Sequence, residues 1–388
     1  MRMLDVLVVG AGPAGLYAAL LLAEEGFDVG VLEEHVAVGV PAHCTGLISD
    51  EVSELFKVPD SLVLNRPSAC AVVAPSGRAV RVDGGDEAIA VIDRAQFDAE
   101  LGLAALRAGA EIRTGFRVDR VRVEPGRVVA TSAHGVDVAA RVCVLASGVN
   151  YALQRQLGLG LPTMFLHSAQ VEVDAADAPA AVELHLGRET APEGFAWVVP
   201  VRRDGRARVR AGVMARGDAE GHLERFLRRP AVAARLAAPP GAATRRLLPL
   251  GPLSKTYSAR MIAVGDAAGL TKPTTGGGIF YSLLSGLLAA ETLVPALRRD
   301  RLGEGALAAY ERRWKARLDP HLRVSSYLRR LYIKLGDEEI EALVAALGAD
   351  DLRREIRRSA RFNWHGGLIR SLLRQPGIKP ILLRAVLR

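Results

Sequence analysis

Cysteine is scarce in this chain. Cys44, Cys70 and Cys143 are the only three among 388 residues, an odd number with no CxxC spacing. That excludes a disulfide framework and leaves no thiolate set for zinc, so no metal site is expected. Aromatic residues make up only 5% of the chain, and residues 351–388 hold just Phe362 and Trp364, so a surface that stacks bases is not expected. An unbroken run of about 18 uncharged apolar residues is also missing, so no segment reads as a membrane span. After Met1-Arg2-Met3 the sequence goes straight into Asp5-Val6-Leu7-Val8-Val9, without the layout of a secretory leader. The expected compartment is the cytoplasm.

Acid is short at one end only. Residues 351–388 hold ten Lys/Arg against Asp351 and Glu355, which accounts for the whole net charge of +8. A neutral body with a basic tail suits an anionic membrane surface better than a nucleic acid. Residues 367–374 and 378–388 mix Leu, Ile and Val with Arg and Lys and contain no acid. They are expected to lie peripherally on the inner face of a membrane. The alternative is a helix that packs its Leu face on the enzyme body.

What is present begins with Gly10-Ala11-Gly12-Pro13-Ala14-Gly15, a GxGxxG between an apolar strand and a helix read from 16 to 25. The glycines permit a tight turn and close backbone approach, and the helix start offers free N–H groups to a pyrophosphate. A second strand, Val29-Gly30-Val31-Leu32, ends at Glu33, eighteen residues past Gly15, where a carboxylate suits a ribose hydroxyl. Further along, Met261-Ile262-Ala263-Val264 leads into Gly265-Asp266, then Thr274-Thr275-Gly276-Gly277-Gly278-Ile279 opens a long apolar helix. Between these lie strand-like alternations, with turns at Pro75-Ser76-Gly77 and Arg203-Asp204-Gly205-Arg206. Everything after residue 303 reads helical, with Pro320, Pro376 and Pro380 as breaks.

The expected fold class is therefore α/β with an α+β insertion. Residues 1–60, 90–162 and 255–300 form a discontinuous Rossmann-type cofactor domain, and 61–89 with 163–254 an antiparallel-sheet substrate domain. Residues 301–388 form a helical C-terminal region with the basic tail.

The pairing of Gly265-Asp266 with Gly276–Gly278 resembles the second signature of FAD enzymes of the glutathione reductase and para-hydroxybenzoate hydroxylase type. The resemblance implies FAD as the cofactor, with Asp266 at the ribityl chain and the amides of Gly276, Gly277, Gly278 and Ile279 facing the pyrimidine end. A helix N-terminus there favours the negative charge of reduced flavin. It also implies cofactor contacts from Gly10, Gly12, Pro13, Ala14, Gly15, Glu33, Glu34, Val118 and Gly148. Arg94, which follows Val91-Ile92-Asp93, matches a family Arg near the cofactor, or is a solvated helix-start cation.

Two more segments narrow the likeness. Pro41-Ala42-His43-Cys44-Thr45-Gly46-Leu47 resembles the Cys-containing loop of the geranylgeranyl reductase family. Pro192 to Pro200 resembles that family's PxxYxWxFP motif, with Phe195 in place of Tyr and Val199 in place of Phe. The family reduces isolated carbon–carbon double bonds in polyprenyl chains. The implied reaction uses hydride from flavin N5 and a proton from a nearby acid. Cys44 is the candidate donor, because a free thiol, with an ordinary pKa of about 8.5, stays mostly protonated at neutral pH. Tyr281 is the next candidate, and His43 is expected to point away from Cys44's side. Cys44, Thr45 and Gly46 are expected beside the flavin. Phe195, Trp197, Val199, Pro200 and Phe280 are expected to line a tunnel for an isoprenoid or other hydrophobic substrate.

Other readings stand beside this one. A period-two aromatic stripe is usually plain core. Most free cysteines are inert filler, the reading for Cys143 and Cys70, and His167, His185, His321 and His365 lack ligand spacing. The 194–200 segment also approaches a halogenase GWxWxIP pattern, so a flavin monooxygenase or halogenase is the alternative enzyme. With one GxGxxG only, the electron donor is NAD(P)H in transient contact or a ferredoxin-like carrier.

Overall fold

Apolar strands that are hydrophobic on both faces need cover on both faces, which is the setting of a parallel sheet. The computed structural model describes residues 2–83 and 87–387. In it Met3–Val9 pairs in parallel with Asp137–Leu145 on one side and Val29–Leu32 on the other. Glu111–Arg113 and Met261–Ala263 extend the sheet outward in parallel, and Tyr257–Ser258 closes one edge. The ribbon Val118–Glu124 and Arg127–Ser132 hangs from Asp137–Leu145 in antiparallel fashion. The helices Pro13–Glu24, Arg94–Arg107 and Ile279–Arg298 pack around Pro13–Glu24 as the central one. At the crossing of the first and last, Gly286 leaves room for the Ala14 carbonyl, which a side-chain carbon would meet at 2.7 Å.

Ile279–Arg298 qualifies a point of the sequence reading. Its 20 residues, with mean hydropathy 1.5, are long and apolar enough to cross a membrane. In the fold 78% of its apolar stretch is buried, so the composition is that of a core helix enclosed on all sides.

The second sheet has seven strands, in the order Thr244–Pro249, Phe165–Asp174, Arg206–Ala215, Phe195–Arg203, Val182–His185, Ala69–Val73 and Ala79–Asp83. Its hairpin turns at Asp204-Gly205, both with positive φ (51° and 75°), the combination that suits strand twist. Leu47–Ser49, Ile89–Ile92 and Val63–Asn65 make a separate three-stranded sheet.

In the C-terminal region, Glu304–Tyr332 is one 29-residue helix that runs through Pro320. Pro320 was expected to break it. Buried Leu318 and Leu322 on either side hold the turn, so packing outweighs the lost N–H bond. Pro376 does separate two helices, Gly366–Leu372 and Lys379–Leu387, while Pro380 falls in a first turn where no N–H is missed. Among the described side chains of the tail, three apolar ones are committed to the body. Ile369 is buried, and Ile378 and Leu382 are buried in one cluster with Leu331, Leu335, Ile340, Val344 and Ile356. Arg370, Arg374, Lys379 and Arg384 are exposed.

Candidate functional site

The turn after the first strand accepts only glycine at two points. A side-chain carbon at Gly10 (φ 106°) would lie 2.3 Å from the Ala146 carbonyl, and at Gly15 2.2 Å from the Gly10 carbonyl. At Gly12 the same carbon would meet nothing within 4 Å. Gly12 therefore opens onto empty space, where the N–H groups at the start of the helix from Pro13, capped by no side chain among the described residues, are available. Pro13, Ala14 and Gly15 stand behind the opening and set the direction of that helix. Glu33 accepts a hydrogen bond from the Ala11 N–H at 2.7 Å and from the His35 N–H at 2.9 Å. Gly10, Gly12, Glu33, Glu34, Cys44, Arg94, Val118 and Gly148 all line one polar cavity of about 370 Å³.

Arg94 is not a solvated cation. Its guanidinium grips both oxygens of Asp98, at 3.1 and 2.8 Å. Burial opposes its charge, and the contact with Asp98 holds it ionised. A diphosphate fits the vacant cradle at Gly12 and the helix N-terminus, and a ribose fits the carboxylate of Glu33.

A second cavity, about 710 Å³ and mostly apolar, lies beyond the first. His43, Cys44 and Arg246 border both. Thr45, Gly46, Phe195, Trp197, Phe280, Tyr281 and the run Gly276, Gly277, Gly278 and Ile279 line the larger one. Cys44 is half-buried at the junction, its sulfur accepting the Gly46 N–H at 3.3 Å. Gln170 ties this loop to the sheet. Its Oε1 accepts from Thr45 Oγ1 at 3.0 Å and Trp197 Nε1 at 3.2 Å, and its Nε2 donates to the Cys44 carbonyl at 3.4 Å.

Several expectations need correction. Val199 is fully buried in the core cluster beneath Trp197, and the Pro200 carbonyl accepts from Asn65 Nδ2 at 2.8 Å. Neither borders the cavity: Val199 continues the period-two face past it into the sheet's packing, and Pro200 falls on the strand's other face. Gly265 and Asp266 border neither cavity. The Asp266 carboxylate instead holds Arg246 at 3.2 Å, and a carbon on Gly278 would lie 3.1 Å from it. Asp266 thus stands one layer behind the cavity wall, against Arg246 and the glycine turn. The Tyr281 hydroxyl donates to the Asn363 carbonyl at 2.9 Å, and burial pushes its pKa up. That makes it a poor acid. His43 lines both cavities beside Cys44 rather than turning away, because residues 41–46 form no strand. Its buried Nδ1 has no partner among the described residues, and burial with nearby Arg246 pushes its pKa down.

Cys70 is not plain filler either. It lines the large cavity, its thiol pushed up to about 12 by burial, whereas Cys143, also at about 12, sits wholly inside the parallel sheet. His365 belongs to the site as well. It borders the cavity, shares a hydrogen with Thr274 Oγ1 at 2.6 Å, and burial, reinforced by Lys272, pushes its pKa down to about 3.

The largest omission of the sequence reading is the segment 361–365. Asn363 Nδ2 donates to Ser49 Oγ and Glu51 Oε2, both at 2.8 Å. Trp364 packs edge-on against Phe280 at 5.4 Å and donates to Glu51 at 2.6 Å. Lys272 donates to the Phe362 carbonyl at 2.9 Å. This segment walls the large cavity. An aromatic pair around Asn363 inside an otherwise basic stretch was the available signal.

The chain matches the family described as lycopene cyclase protein over residues 5–346. It is 30% identical over 370 residues to a digeranylgeranylglycerophospholipid reductase of Methanopyrus kandleri, covering 91% of this chain and 92% of that one. A solved geranylgeranyl bacteriochlorophyll reductase-like protein from Thermoplasma acidophilum superposes with TM-score 0.87 at 22% identity, over 100% of this chain and 99% of that one. A variant of the halogenase PltM in complex with FAD superposes with TM-score 0.71 at 17% identity, over 100% and 92%. The last two share the fold. With a parallel nucleotide-binding sheet, an antiparallel sheet roofing an apolar cavity and a helical C-terminal region, this chain belongs to the geranylgeranyl reductase family of FAD-dependent oxidoreductases.

Proposed function

We propose that the chain binds FAD and reduces isolated double bonds in the polyprenyl chains of a glycerophospholipid. One observation carries the reading: a polar cavity shaped for a dinucleotide and a 710 Å³ apolar cavity meet at a shared border of His43, Cys44 and Arg246. Reduced flavin supplies hydride when bound. The chain's own residues do the rest. Trp197, Phe195 and Phe280 exclude water and hold an apolar chain, within the size range of small-molecule sites. Gln170 fixes the Cys44 loop against Trp197, so the thiol keeps its place where hydride donor and alkene meet. Cys44 delivers the proton to the carbon that does not receive hydride.

Electrons come from NAD(P)H or a ferredoxin-like carrier. The exposed cations Arg370, Arg374, Lys379 and Arg384 rest on the anionic inner face of the membrane that holds the substrate. The lycopene cyclase match favours a second reading, a redox-neutral rearrangement of a polyene in the same cavity.

Mass spectrometry separates the two. Protein reconstituted with FAD, given dithionite and a geranylgeranyl glycerophospholipid, should add one pair of hydrogens per double bond. An isomer of unchanged mass supports the second reading. No change in either a prenyl lipid or a carotenoid polyene would refute both.

A further inference from the structure

Lys272 is buried at 5% exposure and faces the large cavity. Its ammonium donates to the Phe362 carbonyl at 2.9 Å and to Asn363 Oδ1 at 3.4 Å, and lies 4.1 Å from the centre of the Phe362 ring. Among the described residues it forms no ion pair. Of the two acids that pull on it, Glu51 is held by Asn363 and Trp364, and Glu87 Oε2 by the Phe362 N–H at 2.7 Å, while Glu87 Oε1 is buried without a hydrogen-bond partner among the described residues. An ammonium buried without a carboxylate is costly to the fold. Desolvation pushes Lys272 down to about 7, against the pull of Glu87 and Glu51.

Its place explains why such a charge is kept. The loop closes on itself, Lys272 N–H to Gly277 carbonyl at 3.0 Å and Gly276 N–H to Lys272 carbonyl at 2.8 Å, just before the helix Ile279–Arg298. The lysine stem crosses directly over Gly277, where a side-chain carbon would come 2.8 Å from Cε and 3.3 Å from Nζ. So the ammonium sits against the glycine turn and the helix N-terminus, the end of the site that already favours negative charge.

We infer that Lys272 is the positive charge that stabilises the reduced, anionic form of the flavin, and so sets its reduction potential. Two electrons and one proton from the donor place hydrogen on flavin N5 and leave one negative charge at N1 and the C2 oxygen. When hydride and a separate proton have gone to the alkene, the ring is neutral again. The requirement for a cation is therefore confined to the reduced state. The inference rests on the FAD reading above but not on which substrate is reduced.

The test compares the midpoint potential of bound FAD in the parent, Lys272→Met and Lys272→Arg, by equilibration with a reference dye and no alkene present. Lys272→Met should lose at least about tenfold in affinity for reduced relative to oxidised FAD, the scale of one charge-assisted hydrogen bond. For a two-electron couple that is a fall of about 30 mV. The reduced flavin of Lys272→Met should also take its N1 proton at higher pH, seen in its absorbance. Lys272→Arg should return to within threefold of the parent. A Lys272→Met potential within twofold of the parent, or equal loss of both FAD forms, overturns the inference and leaves alkene reduction untouched. A parent that holds no FAD sinks the cofactor reading itself.

Discussion

Trp197 lies flat over Gly212, its partner on the neighbouring strand, so closely that a side-chain carbon on Gly212 would fall 2.3 Å from the indole. Gly212 is extended backbone; what requires glycine is the ring above it. Gly212→Ala should force Trp197 out of its hydrogen bond with Gln170 and cost about 1–3 kcal/mol, the scale of core overpacking. Thermal unfolding checks this. Trp197→Phe, which shortens the ring, should recover part of the loss, and strictly additive effects would show that the two residues do not share a space.

Cys44 gives a kinetic prediction. Cys44→Ala should retain FAD and slow alkene reduction by roughly a hundredfold, within the range of a positioned acid. Reduction of the flavin by dithionite should be unaffected, because it needs no proton on carbon. Cys44→Ser keeps size but lowers acidity. A Ser variant as fast as the parent would leave Cys44 a wall residue, and His43, beside it at the junction of the two cavities, becomes the donor to examine next.

Much of the cofactor half was legible because its constraints are local. The glycines of the first turn, the spacing to Glu33 and the Gly276–Gly278 helix start each announce a backbone geometry within a few residues. The larger cavity was legible only in part. Phe195 and Trp197 border it while Val199 does not, and nothing in a period-two stripe marks where the cavity ends. Arg246 and Gln170 come from strands whose sequence is unremarkable in isolation. They join the site only through the pairing of Phe165–Asp174 with Thr244–Pro249. The Asn363 segment lay hidden for a further reason: a surplus of arginine around it drew attention to charge, while its few apolar residues do the packing.

Lys272 should also leave a mark on stability. Its folded pKa, about 7, lies below its unfolded value near 10.4. Below pH 7 both states hold the proton and the whole cost of burial remains. Between about 7 and 10.5 the unfolded state binds more protons, so stability rises with pH; above that the cost is gone. Cofactor-free Lys272→Met should therefore be more stable than the parent by on the order of a few kcal/mol at pH 6–7. The gap should shrink towards pH 10. Glu51, Glu87, His365 and Tyr281 face the same group but are common to both proteins. Urea unfolding at three pH values reads the difference, and a gap that grew with pH would contradict it.

The tail's exposed cations predict binding led by charge, since Ile369, Ile378 and Leu382 are already buried. Reversing Arg370, Arg374, Lys379 and Arg384 to Glu should abolish sedimentation with anionic liposomes while leaving the fold intact. At about 1 kcal/mol per cation, binding should also fall steeply with salt. Truncation is a poorer test because it would carry Trp364 away from Phe280. Equal pelleting of both proteins counts against membrane contact.

The order in which the walls of the site leave the ribosome follows from the placement of Asn363. Both glycine turns are made before it, and eighty-five residues separate Gly278 from Asn363. At 5–20 residues per second that interval is roughly 4–17 s. Late in it the strands of the parallel sheet and the long core helix Ile279–Arg298 have been made while the large cavity still lacks a side. A bulky cofactor meets an open doorway in the nascent chain and a finished room only afterwards, so loading with FAD should be easier during synthesis than after it.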